Sequence, residues 1–479
     1  MTASPIVVWF RDDLRITDQP ALQAAAQSGQ PVVAVYVLDD KSPGDWALGG
    51  ASRWWLHHSL TRLGESLAQL GVPLTLRRGR FTDVLTKLVA EVGADALYCG
   101  RGYEPWVVDT EGQLNTALSE TGVTVKRFAG RLLFEPGRIV TGSGDTYKVF
   151  TPFWRACLRA DPPKAPAPAP ETLTAFDTAV SSESLRDWQL LPTTPDWSGG
   201  FTDQWTPGEA GAIAALERFL ETSLGDYHDA RDIPGERGTS RLSAHLRFGE
   251  ISPRQIWQLV LNEVGGNIAD PRAEAYLREL GWRDFNSHLL LAYPTIGEHA
   301  FKPAYEAFPW RDDAAGLRAW QRGQTGYPIV DAGMRELWTT GWMHNRVRMI
   351  VGSFLVKHLL LPWRLGENWF WDTLVDADLA NNAGGWQWAA GSGADAAPYF
   401  RIFNPTLQGK KFDAKGTYVR RWVPEIASIP DKYIHEPVAA PTKVLEGVGV
   451  KLGRDYPAPI VAHKMARERA LSALKAVTG

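Results

Sequence analysis

The first 130 residues alternate between short, uniformly apolar runs and longer amphipathic stretches. Ile6-Val7-Val8-Trp9-Phe10 and Val32 to Val37 carry no polar side-chain group except the Trp9 indole N–H and the Tyr36 hydroxyl. That is the pattern of strands buried on both faces. Between them Pro20 to Ala26 reads as a helix, with Asp18 as its cap. Ala51 to Leu70 predicts a long helix stopped by Gly71 and Pro73. Leu74-Thr75-Leu76, Val84 to Val92 and Ala96-Leu97-Tyr98-Cys99 continue the alternation, and Val123-Thr124-Val125 reads as a last strand. Strands separated by helices predict a parallel, doubly wound sheet covered on both faces.

The pattern then changes twice. Asp161 to Pro170, DPPKAPAPAP, predicts an extended Pro/Ala linker, and low-order polar sequence continues to about Pro207. From Gly208 the periodicity is helical almost to the end. Helices are expected at Ala210 to Glu221, Pro253 to Val264, Ala273 to Ala292, Ala314 to Gly323, Ile329 to Gly341, Asn345 to Leu360, Trp369 to Leu374 and His463 to Val477. The division expected is an α/β domain over 1–130, a linker over 131–207 and a large all-α domain over 208–479. No repeat is present. No apolar run follows a basic start or reaches membrane-spanning length, so a cytoplasmic protein is expected.

Composition changes this picture in three places. The net charge of −3 gives the whole molecule no attraction for a polyanion, so nucleic-acid contact needs a local patch. Two cysteines, Cys99 and Cys157, exclude a disulfide scaffold and four-cysteine zinc or iron–sulfur sites. The 21 tryptophans are many, and several sit among polar residues, which points to stacking or redox chemistry beside ordinary packing.

The candidate chemistry lies in the helical half. Asp376 to Asn404, DADLANNAGGWQWAAGSGADAAPYFRIFN, puts the acids Asp376 and Asp378, two adjacent amides, Trp386, Trp388, Tyr399, Phe400, Phe403 and many small residues in one segment. Small residues let backbone approach a flat ligand, acids and amides can bind its edge, and indoles can stack or pass electrons. Gly238 to Ser243 ends a polar loop and opens a helix, which suits either phosphate or a plain cap. Tyr276 to Phe285 puts Tyr276, Glu279, Trp282 and Arg283 on one stripe, as a site or as an exposed ion pair beside a core Trp. Gly341 to Met349 does the same for Trp342, Asn345, Arg348 and Met349, and polar groups in that apolar stripe need a partner. Asp376 and Asp378 could also be a magnesium pair, but no P-loop, further acid cluster or lysine clamp accompanies them. The ten histidines have no metal-ligand spacing, so no metal is expected. Arg11-Asp12-Asp13-Leu14-Arg15 after the first strand is not a dinucleotide turn.

The run from Asp226-Tyr227-His228 to Arg254, the segment GWMHNR and the segment Asp376 to Asn404 resemble the photolyase/cryptochrome flavoproteins. The start VVWFRDDLRITDQPAL resembles that family's N-terminal signature. Within the family the chain looks like the bacterial enzymes that split cyclobutane pyrimidine dimers. The resemblance implies a folded FAD in the helical domain. Tyr227, Thr239, Ser240, Leu242 and Ser243 match residues that hold its phosphates and ribityl chain. Arg348 and Asp376 match an ion pair over the isoalloxazine, Asp378 a residue on its polar edge, and Asn382 the residue beside N5. It also implies a partner, damaged DNA. Glu279 would hydrogen-bond a flipped pyrimidine pair, Asn345 and Met349 would line its pocket, and Trp282 and Trp388 would wall it. Histidine at the Asn345 position would mark (6-4) repair. Arg231, Arg283, Arg346 and Arg401 match phosphate contacts. Trp386, Trp363 and Trp310 match an electron-transfer chain.

Folate-binding members carry an Asn-Glu pair where this chain has Pro105-Trp106-Val107, and a lysine where Glu298 stands. That leaves 8-hydroxy-5-deazaflavin, another flavin or no antenna, with the deazaflavin expected in preference to folate. The chain ends soon after its last helix, without the long tail common in signalling members, so a monomeric repair enzyme is expected over a photosensory cryptochrome.

Overall fold

The computed structural model describes residues 3–396 and 400–478. Tyr399 lies outside them. Five strands, β1 (Ile6–Phe10), β2 (Val32–Leu38), β3 (Leu74–Arg78), β4 (Ala96–Gly100) and β5 (Thr124–Phe128), form one parallel sheet of order β3-β2-β1-β4-β5. In register, Val8 faces Ala34 and Tyr98. The strand period of two splits β1 between two cores. Ile6, Val8 and Phe10 pack with Trp54, Trp55 and Leu60, whereas Val7 and Trp9 pack with Leu85, Leu88 and Leu114. The edge strand β5 exposes Lys126 and Arg127, which discourages pairing with another edge.

Local corrections have local causes. Asp18 does not cap the helix Pro20–Ser28; Gln19 does, its Oε1 accepting the Leu22 N–H at 2.8 Å. Asp18 instead binds Arg254 at 2.7 and 3.0 Å and the Ala167 N–H at 2.9 Å, joining the two halves of the chain. A helix over Pro105–Ser119 was not anticipated, because Thr110, Gly112 and Thr116 blur its periodicity. The stretch 131–207 carries a helix, Phe150–Arg159, whose Phe150, Phe153, Trp154 and Cys157 are buried in the helical core.

In the helical half the expected elements appear with shifted ends. The run predicted over Asn345 to Leu360 is α-helical over Asn345–Ser353 and a π-turn over Phe354–Leu359. Trp369 to Leu374 falls in the second half of a helix over Trp363–Thr373, which begins after Pro362. A further helix, Leu379–Ala390, starts at the Asp378 cap. Its Gly384-Gly385 pair and small residues had hidden it. Among the described residues no helix is long and apolar enough to cross a membrane.

Candidate functional site

The helices Pro271–Ala292, Asn345–Ser353 and Leu379–Ala390 meet the segment 227–243 around one cavity of about 590 Å3. That volume is in the range of small-molecule and cofactor sites. The four motif stretches singled out in the sequence therefore converge.

Thr239, Ser240, Leu242, Ser243 and Tyr227 line the cavity. The Ser243 hydroxyl accepts the Trp342 indole N–H at 3.2 Å, and the Arg241 guanidinium lies 4.5 Å over the Trp342 ring. Tyr227 packs edge-on against Phe219 and Tyr276, and burial raises its phenol far above the ordinary range.

Charged groups also line the cavity. Arg348 donates to Asp376 at 2.7 Å and to the Met343 carbonyl at 2.8 Å. Asp376 is 8% exposed, and its Oδ1 has no partner among the described residues. A buried carboxylate oxygen left so calls for a donor from a ligand. Asp378 accepts the Asn381 N–H at 2.9 Å and its side-chain amide at 2.7 Å. The Asn382 amide is fixed by donating to the Glu367 carbonyl at 3.0 Å. With Arg348 and Asn381 on these two acids, a protein ion pair and a helix cap account for the Asp-x-Asp spacing.

Trp386 also lines the cavity and is buried. Its ring lies over Gly366, where a Cβ would stand 2.0 Å from the indole, so only glycine admits this approach. Trp363 is buried at the start of its helix, and Trp310 is half-buried 4.3 Å from Phe308. Neither Trp363 nor Trp310 lines the cavity.

Glu279, Trp282, Asn345, Met349 and Trp388 line the same cavity. Trp282 is supported from behind by Phe150, stacked at 3.7 Å with planes 8° apart. Glu279 pairs with Arg231 at 2.8 Å. The expected phosphate contact Arg231 is thus engaged by the expected substrate contact. Arg346 pairs with Asp232 at 2.6 Å, and Arg401 is exposed. Arg283 departs from the expectation of a phosphate contact. It donates inward to the carbonyls of Arg131 and Leu246, and burial lowers its pKa. His344 caps the helix Asn345–Ser353 by accepting the Arg346 N–H at 3.2 Å. Burial pushes its pKa down to about 4, so it is neutral at physiological pH.

The sequence reading missed Arg241, Arg247 and Asn286, which line the same cavity. Asn286 donates to Asn381 at 2.9 Å, a contact foreshadowed only by the Asn381-Asn382 pair. Where an antenna was sought, Glu104 is buried against Arg131 at 2.8 and 2.9 Å, while Glu298 is exposed.

Comparison with known proteins follows this geometry. Residues 6–171 match the family described as DNA photolyase, and residues 276–476 the FAD binding domain of DNA photolyase. The deoxyribodipyrimidine photo-lyase of Agrobacterium fabrum is 52% identical over 477 residues, covering 100% of this chain and 99% of its own. Cryptochrome-1 of Arabidopsis thaliana is 37% identical over 481 residues, covering 98% of this chain and 70% of its own. The crystal structure of a class III photolyase from Agrobacterium tumefaciens superposes with a TM-score of 0.96 at 51% identity, covering 100% and 98%. The orphaned Asp376 oxygen, the Arg348 ion pair and the polar Thr239–Ser243 stretch all suit FAD. The chain belongs to the DNA photolyase family, as an FAD-binding enzyme of the photo-lyase class.

Proposed function

We propose that the protein is a light-driven DNA repair enzyme that splits cyclobutane pyrimidine dimers by electron transfer from excited reduced FAD to a flipped-out dimer. The observation that carries this reading is the single cavity shared by the flavin-type residues Arg348, Asp376, Asp378 and Asn382 and the substrate-type residues Glu279, Trp282, Asn345, Met349 and Trp388. FAD, when bound and fully reduced, supplies the electron on absorbing light. Thr239, Ser240, Leu242, Ser243 and Tyr227 would hold its phosphates and ribityl chain. Arg348 and Asp376 would fix the ring system, with Asp378 at its polar edge and Asn382 beside N5.

The dimer lies inside the duplex stack and has to leave it to enter a cavity, at a cost of a few kcal/mol that is least for a damaged base. Trp282 and Trp388 would replace part of the lost stacking. Glu279, oriented by Arg231, would hydrogen-bond the pyrimidine pair. Asn345 and Met349 would complete the pocket, and the amide of Asn345 favours cyclobutane dimers over (6-4) products. Arg346 and Arg401 would meet phosphates without reading sequence. Trp386, Trp363 and Trp310 would carry an electron inward to restore the reduced cofactor.

For a second, light-harvesting chromophore, 8-hydroxy-5-deazaflavin is favoured over folate. Glu104 is already committed to Arg131, and the helix Pro105–Ser119 begins where a folate site would carry its Asn-Glu pair. The cryptochrome relatives favour one competing reading, a blue-light photoreceptor without repair.

Purified protein assayed on a dimer-containing oligonucleotide decides between them. Close to one FAD per chain and repair only under near-ultraviolet or blue light are expected, and pigments released on denaturation will identify the antenna. Equal repair in darkness, or none in light with FAD bound, would overturn the enzyme reading.

A further inference from the structure

The loop after β1 docks on the segment that opens the cavity. The Leu14 N–H donates to the Phe248 carbonyl at 3.0 Å, and Arg15 to the Gly249 carbonyl at 2.9 Å. Gly249 has φ 63°, and a Cβ there would stand 2.1 Å from the Asp12 carbonyl oxygen, so the two backbones touch. This contact brings Asp12 of the α/β half to Arg247 of the helical half.

Arg247 is 8% exposed and lines the cavity. Its Nε donates to the Ala377 carbonyl at 2.6 Å, and its Nη1 to Asp12 Oδ1 at 2.5 Å. Ala377 is the residue between Asp376 and Asp378. The second Asp12 oxygen lies 3.3 Å from Arg131, itself paired with Glu104. Burial opposes the Arg247 charge, but Asp12, Asp378 and Glu104 outweigh it and hold its pKa above the ordinary value. Asp378 also acts on the charges of Arg131 and Arg283.

We propose that Arg247 is a positioning residue that pins the Asp376–Asp378 segment and, balanced against Asp12, sets the charge felt by the flavin, so that the α/β domain tunes how readily the flavin is reduced. The inference rests on FAD occupying this cavity. Reduction adds negative charge to a flavin, and a cation in a poorly solvated site favours it more strongly than one in water. Arg247→Gln removes that cation. Asp12→Asn removes the anion that offsets it. The two changes therefore act in opposite directions on the same equilibrium, which a purely structural role would not produce.

The test is a spectroelectrochemical titration of the holoenzyme, with FAD content and thermal midpoint recorded for each variant. At a fixed potential, Arg247→Gln is expected to lower the ratio of reduced to oxidised flavin about tenfold, or about 30 mV for a two-electron couple. Asp12→Asn is expected to raise it by a similar factor. Arg247→Lys keeps the charge and is expected to stay near the wild-type ratio. Shifts of the same sign in Arg247→Gln and Asp12→Asn, or no shift in either, overturn the proposal. If Arg247→Gln does not retain FAD, the other two variants decide: a raised ratio in Asp12→Asn supports it and an unchanged one refutes it. Wild-type protein that holds no FAD would instead refute the functional reading on which this rests.

Discussion

Glu279 and Arg231 form an ion pair of which both members line the cavity, with each side chain partly exposed. Glu279→Gln keeps the shape and much of the hydrogen bonding but removes the charge that holds Arg231. Binding of damaged DNA is expected to survive while single-turnover repair falls; unchanged repair would remove Glu279 from the chemistry. Trp363→Phe is expected to block light-driven reduction of oxidised FAD, because phenylalanine is much harder to oxidise, and to leave repair by chemically pre-reduced enzyme intact. Normal photoreduction in that variant would refute the route through Trp363. The pair Arg348–Asp376 was legible in the sequence because both residues sit in long motifs of one family. Arg283 was not, since helical spacing gives the face a residue occupies but not which carbonyls its donors meet across the domain boundary. Arg247 was hidden for the same reason: its partners Asp12 and Ala377 lie 235 and 130 residues away.

Two helices show what periodicity can and cannot deliver. Pro271–Ala292 was plain from its stripe, and Leu379–Ala390 was masked by glycines and alanines that exist for close approach. The same need governs Gly366, on the helix Trp363–Thr373. Gly366→Ala is expected to cost about 1–3 kcal/mol by overpacking against Trp386 and to weaken FAD retention, as a thermal melt and flavin content will show. The helix Pro271–Ala292 also clamps residue 134 between two neighbours one turn apart. Asp284 accepts the Phe134 N–H at 2.9 Å, and His288 Nε2 donates to its carbonyl at 2.8 Å. Burial raises Asp284 from 3.8 to about 7 and lowers His288 from 6.5 to about 4. The folded Asp284 binds a proton that the unfolded one releases, so its contribution to stability falls as pH rises from about 4 to about 7. The folded His288 lacks a proton that the unfolded one takes up, so its contribution is lost as pH falls from 6.5 toward 4. The two slopes oppose each other between about 4 and 6.5. Asp284→Asn is expected to leave stability rising with pH there, and His288→Gln to leave it falling, each by up to about 1.4 kcal/mol per pH unit. Thermal midpoints measured across that window check both signs.

The parallel sheet and the helical half were readable from apolar spacing, and their junction was not. Asp18, read as a helix cap, instead bonds to Arg254, and the stretch read as a linker buries Phe150 behind Trp282. Both are contacts between segments far apart in sequence, to which local pattern is blind. With a net charge of −3, attraction to DNA has to come from a local patch, and Arg346 is paired with Asp232. Asp232→Asn is expected to tighten binding to damaged and undamaged DNA alike and to steepen the salt dependence by about one phosphate contact, and Arg346→Ala to do the reverse. Competition binding at several salt concentrations separates these from a change in lesion preference. The central claim is that the flavin and the lesion share one cavity. Fluorescence of the fully reduced flavin, recorded as a dimer-containing oligonucleotide is titrated in, tests it most directly. The dimer is expected to quench the emission, and an undamaged oligonucleotide of the same sequence to leave it unchanged. Equal quenching by both, or by neither at saturating concentration, would contradict the shared cavity.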